Sequence, residues 1–113
     1  MTVINKLACS LKRRDETPNV KLAKKIVGEK DKGAIKELVN NLSNKNKNIQ
    51  SDCIKVLYET GKLKPELISS YAEQFINLLD SKNNRLQWGA MIAIDTIVLE
   101  NPEIIFSINF QNN

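Results

Sequence analysis

The sequence repeats itself with a period of 37 residues. When it is shifted by 37 positions, the segment 40–68 aligns with the segment 77–105. A repeat of this length is typical of stacked supersecondary units that share one core. It therefore predicts a fold class, although it names no ligand. The identical pairs are Asn40/Asn77, Leu42/Leu79, Lys45/Lys82, Asn46/Asn83, Gln50/Gln87, Pro65/Pro102, Glu66/Glu103 and Ile68/Ile105.

The spacing of apolar residues predicts helices throughout the chain and no sheet. A first helix covers the apolar positions of segment 1–11, and a second opens at Thr17-Pro18 and is weakened by Gly28. A third runs from about Lys32, and a fourth covers 49–60, closed by Gly61 at its C′ position. Pro65 opens the fifth, the sixth covers 86–99, and a short apolar segment follows at 102–110. The segments 43–48 and 80–84 are polar turns between helices.

Two nine-residue segments carry a family resemblance. Segment 86–94 (LQWGAMIAI) resembles the second helix of a HEAT or armadillo repeat, and segment 49–57 is a weaker copy in which Asp52 and Lys55 replace small residues. Segment 18–23 is similar to the start of the same helix. The resemblance implies an all-α domain over 1–113, a right-handed superhelix of about three antiparallel helix pairs. Its repeat units would be about 1–30, 31–64 and 65–101, with a capping segment at 102–110.

Charge is unevenly distributed along the chain. The net charge of +4 comprises +6 in residues 1–36, +2 in 37–64 and −4 in 65–113. The molecule is therefore expected to be dipolar, with a basic front and an acidic back.

The chain has no run of 18 apolar residues and no recognisable signal peptide, so we expect a cytoplasmic protein without a membrane span.

The chain offers little for catalysis. It has no histidine, no glycine-rich phosphate loop and only two cysteines, which lack metal-ligand spacing. We expect reduced thiols, with Cys53 as a small core residue. Asp15 and Glu16 are adjacent, and adjacent residues do not face each other as a catalytic pair would. We therefore expect no enzyme, no metal and no cofactor. Certain alkylpurine DNA glycosylases are HEAT-like, but no residue here requires that activity.

A basic cluster lies near the front of the chain. One interpretation is contact with nucleic-acid phosphates. The other, which we favour, is a solvated helix face, because acidic residues interrupt the cluster and no aromatic residue lies within it. The cluster comprises Lys12, Arg13, Arg14, Lys21, Lys24 and Lys25.

Trp88 is the only tryptophan. It could anchor a partner in a groove, but its place in an apolar helix favours core packing. Gln50, Gln87, Glu59 and Asp95 are expected to lie exposed on the second helices, where they line a face that changes from basic to acidic.

The resemblance implies a non-catalytic protein-interaction or scaffold module whose partner lies along that face. An acidic protein or peptide at the basic end is the expected partner. The alternative is weak nucleic-acid binding through the basic N-terminal end. Self-association through Trp88, Met91, Ile92 or the 104–110 tail is a further alternative.

The sixth helix is apolar on most of its surface, unlike its amphipathic copy at 49–60. Between Leu86 and Leu99 its polar side chains are Gln87, Asp95 and Thr96. Such a helix must be covered on most sides. The apolar segment 102–110 is the nearest candidate cover, since the last unit of a solenoid needs a cap; otherwise a second subunit or a partner covers it.

Deletion of residues 102–113 should therefore expose the outer stripe of the sixth helix and cause dimerisation or aggregation. Light scattering and thermal melting of the truncated protein test this. A truncated chain that stays monomeric with an unchanged melting temperature would contradict the capping hypothesis.

Overall fold

The computed structural model describes residues 3–12, 15 and 17–100. This part of the chain is helical and contains no β-strand, which confirms the all-α prediction for it. None of its helices is long and apolar enough to cross a lipid bilayer. The α-helices are α1 (Thr17–Glu29), α2 (Lys32–Asn40), α3 (Lys47–Leu63), α4 (Ala72–Asn77) and α5 (Asn84–Glu100). Short 3₁₀ helices cover Ile4–Lys6, Asn41–Ser43, Pro65–Leu67, Ser69–Tyr71 and Leu78–Asp80.

The 37-residue period of the sequence is also the period of the structure. α3 begins and ends 37 residues before α5, and the 3₁₀ helix Asn41–Ser43 lies 37 residues before Leu78–Asp80. α2 matches the combined segment 69–77, in which a 3₁₀ turn leads into α4. The second and third units are therefore structural copies, element by element.

The same capping arrangement starts both long helices. The Asn46 Oδ1 atom accepts the N–H of Ile49 at 3.3 Å, and the Asn83 Oδ1 atom accepts the N–H of Leu86 at 3.3 Å. Each asparagine also donates its own N–H to the side chain two residues earlier. Asparagine at the N-cap satisfies N–H groups that have no partner inside the helix. The repeated Asn46/Asn83 pair thus marks the two helix starts.

Helices α1, α3 and α5 lie in a row and run in the same direction. α3 is in the middle and contacts both neighbours. Near the N-terminal ends, Asn19 of α1 donates to Asp52 of α3 at 2.9 Å, and Asn83 donates to Gln50 of α3 at 3.1 Å. α2 packs against α3, and the segment 65–80 packs against α5. Each intervening segment therefore returns the chain to the end of the row where the next long helix starts.

One hydrophobic core connects the row with the intervening segments. Each helix contributes the apolar side chains of one stripe, and the first segment contributes Val3, Leu7 and Ala8. Cys53 is fully buried, which confirms its prediction as a core residue. The largest fully buried apolar side chains include Leu7, Ile26, Ile35, Leu38, Ile54, Leu57, Ile68, Phe75 and Ile97.

The prediction of a first α-helix over 1–11 is wrong for the described residues. Residues 4–6 form a 3₁₀ turn, and residues 8–12 continue as hydrogen-bonded turns. The reason is that the N–H groups of Ala8 and Cys9 donate to side chains of α1 and α3. These two N–H groups therefore do not form the hydrogen bonds to the carbonyl four residues earlier that an α-helix requires. Leu11 lies half exposed as a result.

Helix α1 includes Gly28 and ends at Glu29. Lys30 follows it in the left-handed conformation, with φ of 51°. The Lys30 N–H bonds to the Val27 carbonyl at 3.3 Å, and the Asp31 N–H bonds to the Ile26 carbonyl at 3.1 Å. This pair of bonds is a Schellman motif, which closes a helix through its last carbonyls.

Gly61 does not end α3, contrary to the prediction, but lies buried inside it. A Cβ atom at Gly61 would collide with Thr96 of α5 and lie 2.6 Å from the Ile68 Cδ1 atom. A Cβ atom at Gly89 of α5 would lie 2.6 Å from the Ile54 Cγ2 atom of α3. Both glycines therefore permit the close approach of α3 and α5.

The segment 65–80 is not the continuous fifth helix that the apolar spacing predicts. Only Ala72–Asn77 is α-helical. The Ile68 N–H bonds to the Pro65 carbonyl and the Tyr71 N–H to the Ile68 carbonyl, and both are i−3 bonds of the 3₁₀ type. Ile68 is fully buried against Gly61. Tertiary packing of this side chain therefore overrides the local preference for a longer helix.

Substitution Gly61→Ala should destabilise the protein by about 1–3 kcal/mol, because the new methyl group has no space between α3 and α5. Gly28→Ala is the matched control, since a Cβ atom there meets nothing within 4 Å. The control should be neutral or stabilise by up to about 1 kcal/mol through helix propensity. Urea unfolding of both variants measures the difference, and equal stabilities would contradict the close packing of the two helices.

Candidate partner-binding cleft

Carboxylates and an amide hold the segment 3–12 against the helices. The Val3 N–H donates to the Glu37 carboxylate of α2 at 3.0 Å. The Ala8 N–H donates to Asn19 Oδ1 at 2.9 Å. These bonds fix the backbone on both sides of Lys6, so the position of the Lys6 side chain follows from them.

Asp52 is the centre of this attachment. Its Oδ2 atom accepts the Cys9 N–H at 2.7 Å, and its Oδ1 atom accepts the Asn19 side-chain amide at 2.9 Å. Asp52 is only 5% exposed and Asn19 is fully buried. A buried carboxylate is costly unless it is hydrogen-bonded, and here it bridges the first segment, α1 and α3. Its bonds explain why an acidic residue replaces the small residue of the repeat pattern.

A cleft of about 330 Å³ lies between the first segment and the outer side of α1. Its floor is apolar and comes from Leu11, Pro18 and Leu22, and its rim carries three ammonium groups. We call it the basic cleft. Its lining residues are Lys6, Leu11, Pro18, Lys21, Leu22 and Lys25.

Two of the lysines of the basic cleft lie close enough to affect each other. The Lys25 side chain lowers the pKa of Lys6 from its ordinary value through a hydrogen bond and like-charge repulsion. Glu29 and Asp31 act in the opposite sense from an adjoining cleft, but do not cancel the effect. Adjacent ammonium groups on an open surface favour a bound anion, because a negative charge between them relieves their repulsion.

The predicted basic residues fall into three groups. Lys21 and Lys25 line the basic cleft, whereas Lys24 lies exposed on α1 outside the set of lining residues. Lys12 is exposed, with a left-handed φ of 58°. Arg13 and Arg14 lie outside the described residues. The structure thus brings Lys21 and Lys25 together with Lys6.

The favoured interpretation of Trp88 as a core residue is wrong. Its side chain is 69% exposed, and Met91 of the same helix is 52% exposed. The reason is that α5 turns its small and β-branched residues toward α3 and the core, which leaves Trp88 on the solvent-facing side of the helix, beside a cleft between α3 and α5. The segment 102–110, proposed as the cover of this side, lies outside the described residues, so the capping hypothesis stays a prediction.

Gln50, Gln87 and Glu59 are half-buried rather than exposed, because their side chains are used within the fold. The Gln87 amide donates to the Leu79 carbonyl at 2.6 Å, and Gln50 accepts from the Asn83 amide. Glu59 pairs with Lys55 at 3.0 Å and with Lys62 at 3.2 Å. Asp95 is exposed, as predicted.

A second, smaller cleft of about 200 Å³ separates α3 from α5 on the outer face of the row. Tyr58 and Trp88 are among its lining residues, together with Lys55 and Arg85. The Lys55 ammonium already lies 4.8 Å from the centre of the Tyr58 ring, an internal cation–π contact. This cleft is smaller than the basic cleft. One of its two cations, Lys55, already contacts the Tyr58 ring.

The thiols of the described residues are not activated. Burial and the Asp52 carboxylate raise the pKa of Cys53 to about 12, and the same two causes raise that of Cys9 to about 11. A nucleophilic cysteine needs the opposite environment. No group of three or more residues with metal-ligand side chains occurs in this part of the chain.

Comparison of the chain with protein-family models, curated proteins and solved structures finds no match.

The sequence did not indicate two lining residues of the basic cleft, Lys6 and Leu11. The apolar pattern assigns both to a first helix, whereas their place beside Lys25 and Leu22 in the cleft depends on the path that Asp52 and Asn19 impose on the first segment. The departure of Asp52 from the repeat pattern was the one available sign of that tertiary bond.

Substitution Asp52→Ala should release the first segment and make Cys9 react faster with a disulfide reagent at pH 8. In the wild-type protein only about one thiolate in a thousand is expected at Cys9 at this pH, given its raised pKa. The loss of the carboxylate should also cost about 1–3 kcal/mol, because it leaves the buried Asn19 amide and the Cys9 N–H without this acceptor.

Reaction rates with an aromatic disulfide reagent, assigned to each cysteine by mass spectrometry, measure this effect. Cys53 should stay slow in the variant, and the exposed-site control Asp95→Ala should leave both rates unchanged. Wild-type Cys9 reacting as fast as in denatured protein would show that the first segment is not held by Asp52.

Proposed function

We propose that this chain is a non-catalytic protein-interaction module that binds an acidic segment of another protein in the basic cleft. The observation that carries the proposal is the arrangement of Lys6, Lys21 and Lys25 around an apolar floor. A ligand for such a site needs negative charge for the rim and an apolar side chain for the floor. An acidic peptide with one aliphatic or aromatic residue supplies both.

We also infer that the three units form a short right-handed superhelix of the HEAT or armadillo style. Two observations support this inference. The helices α1, α3 and α5 form a row, and α5 begins and ends 37 residues after α3. In such a stack each unit contacts only its neighbours. Lys21 and Lys25 on the outer side of α1 are exposed, so a partner can reach the basic cleft without displacing a helix.

The mutual repulsion of Lys6 and Lys25 supports an anionic ligand over a neutral one. Their proximity is unfavourable in the free protein, so a carboxylate placed between them gains more than it would beside a single exposed lysine. The half-exposed Leu11 supports a mixed ligand over a purely ionic one, because an apolar group on the cleft floor removes Leu11 from water.

A labelled peptide of alternating glutamate and serine with one central leucine should bind with a dissociation constant that rises with salt. The variant Lys21→Glu/Lys25→Glu should weaken binding by about tenfold or more, as expected for two exposed charge pairs. The matched control is Lys45→Glu/Lys82→Glu, which changes the same charge at two exposed turn residues. Fluorescence anisotropy measures the affinity.

A second titration uses random-sequence duplex DNA as the probe. Tighter binding of DNA than of the peptide, with a steep salt slope that the Lys21/Lys25 variant abolishes, would contradict the proposal in favour of nucleic-acid binding. Equal loss of peptide binding in the control variant would show that net charge, rather than the basic cleft, is recognised.

A further inference from the structure

The 37-residue period identifies the side of α5 that is built to receive another helix. On α3, the residues that face α5 include Ser51, Ile54 and Gly61, since Ser51 bonds to Asn83 and the other two lie against Gly89 and Thr96. Because α3 and α5 are copies shifted by 37, the corresponding positions on α5 are Trp88, Met91 and Val98.

These corresponding positions differ sharply in burial. Ser51 is 4% exposed and Ile54 is 1% exposed on α3, whereas Trp88 and Met91 are more than half exposed on α5. The α5 side therefore has the position of a stacking surface and a larger apolar area than its copy. We call it the open stacking face, defined by Trp88, Met91 and Val98. Trp88 and Met91 form its exposed part, whereas Val98 is half-buried against the core.

Charge distinguishes the open stacking face from the opposite end of the row. Asp95 lies one helical turn after Met91 and is exposed. Asp95 is the acidic residue of this face, with the exposed Arg85 one turn before Trp88, whereas the other exposed carboxylates of the unit lie in the segment 65–80 or at the last residue of α5. The exposed acidic residues of this unit are Glu66, Glu73, Asp80, Asp95 and Glu100.

We propose, in place of a cover by the segment 102–110, that the open stacking face of one copy docks in the basic cleft of a second copy, so that the chain associates head to tail. The inference rests on the proposed function, since it names the acidic, apolar partner of the basic cleft as α5 of another molecule. Met91 and Trp88 meet the floor formed by Leu11 and Leu22, and Asp95 meets Lys25 on the rim.

This contact joins two different surfaces, so it leaves one free face at each end of every dimer. A heterologous contact of this kind closes into a ring or continues as an open chain. The mean mass in solution should therefore rise steadily with concentration rather than stop at a dimer. It should also fall with added salt, because exposed charge pairs contribute to the contact.

Charge exchange tests the proposal in the full-length protein. Lys25→Glu places a carboxylate against the acidic face, and Asp95→Lys places an ammonium in the basic cleft. Each single variant should weaken self-association by about three- to tenfold, measured by sedimentation equilibrium up to about 1 mM. The double variant Lys25→Glu/Asp95→Lys should restore it, because the exchanged charges again attract. The control pair Lys82→Glu and Asp80→Lys should leave it unchanged.

Three outcomes would overturn the inference. A wild-type chain that stays monomeric over this range has no such contact. If Asp95→Lys loses association while Lys25→Glu keeps it, and the double variant does not restore it, the contact is a symmetric one between two α5 faces. Association that appears only after residues 101–113 are removed assigns the open stacking face to the chain's own C-terminal segment. Peptide binding to a monomeric chain would leave the proposed function intact while refuting the head-to-tail contact.

Discussion

The close parallel packing of α3 against α5 is the contact on which the arrangement of the second and third units depends. It is possible because Gly61 and Gly89 remove side-chain bulk where Thr96 and Ile54 approach. Helices that pack this closely gain dispersion contacts along their length, and a single methyl group is enough to disturb them. α3 packs against α1 on its other side, so the middle helix contacts both neighbours in the row.

The segment 3–12 is held differently, by hydrogen bonds from its backbone to buried side chains rather than by those of a regular helix. Asp52 and Asn19 accept the N–H groups of Cys9 and Ala8, and this directs Lys6 and Leu11 toward the outer side of α1. Stability and the candidate site are therefore coupled, since the bonds that order the first segment also assemble the basic cleft. Loss of Asp52 would be expected to affect both.

The two ends of the row have complementary properties. One end has cations around an apolar floor, and the other has exposed apolar side chains next to Asp95. In a stack of similar units each unit contacts its neighbours, so an end unit has one face without a neighbour. At the two positions of α5 that correspond to Ser51 and Ile54 of α3, the side chains are longer and more exposed.

The sequence alone determined the all-α class and the 37-residue period, because apolar spacing is a local feature. It placed the starts of the two long helices at 49 and 86, two residues after their observed starts at Lys47 and Asn84. It also predicted that the basic lysines of α1 are exposed. Tertiary structure decided the path of the first segment, the placement of Gly61 inside α3 and the exposure of Trp88. These depend on contacts between residues that are far apart in the chain, such as Cys9 with Asp52 and Gly61 with Thr96. Local pattern cannot show which side of an apolar helix a neighbour will cover, because that depends on where the neighbour packs.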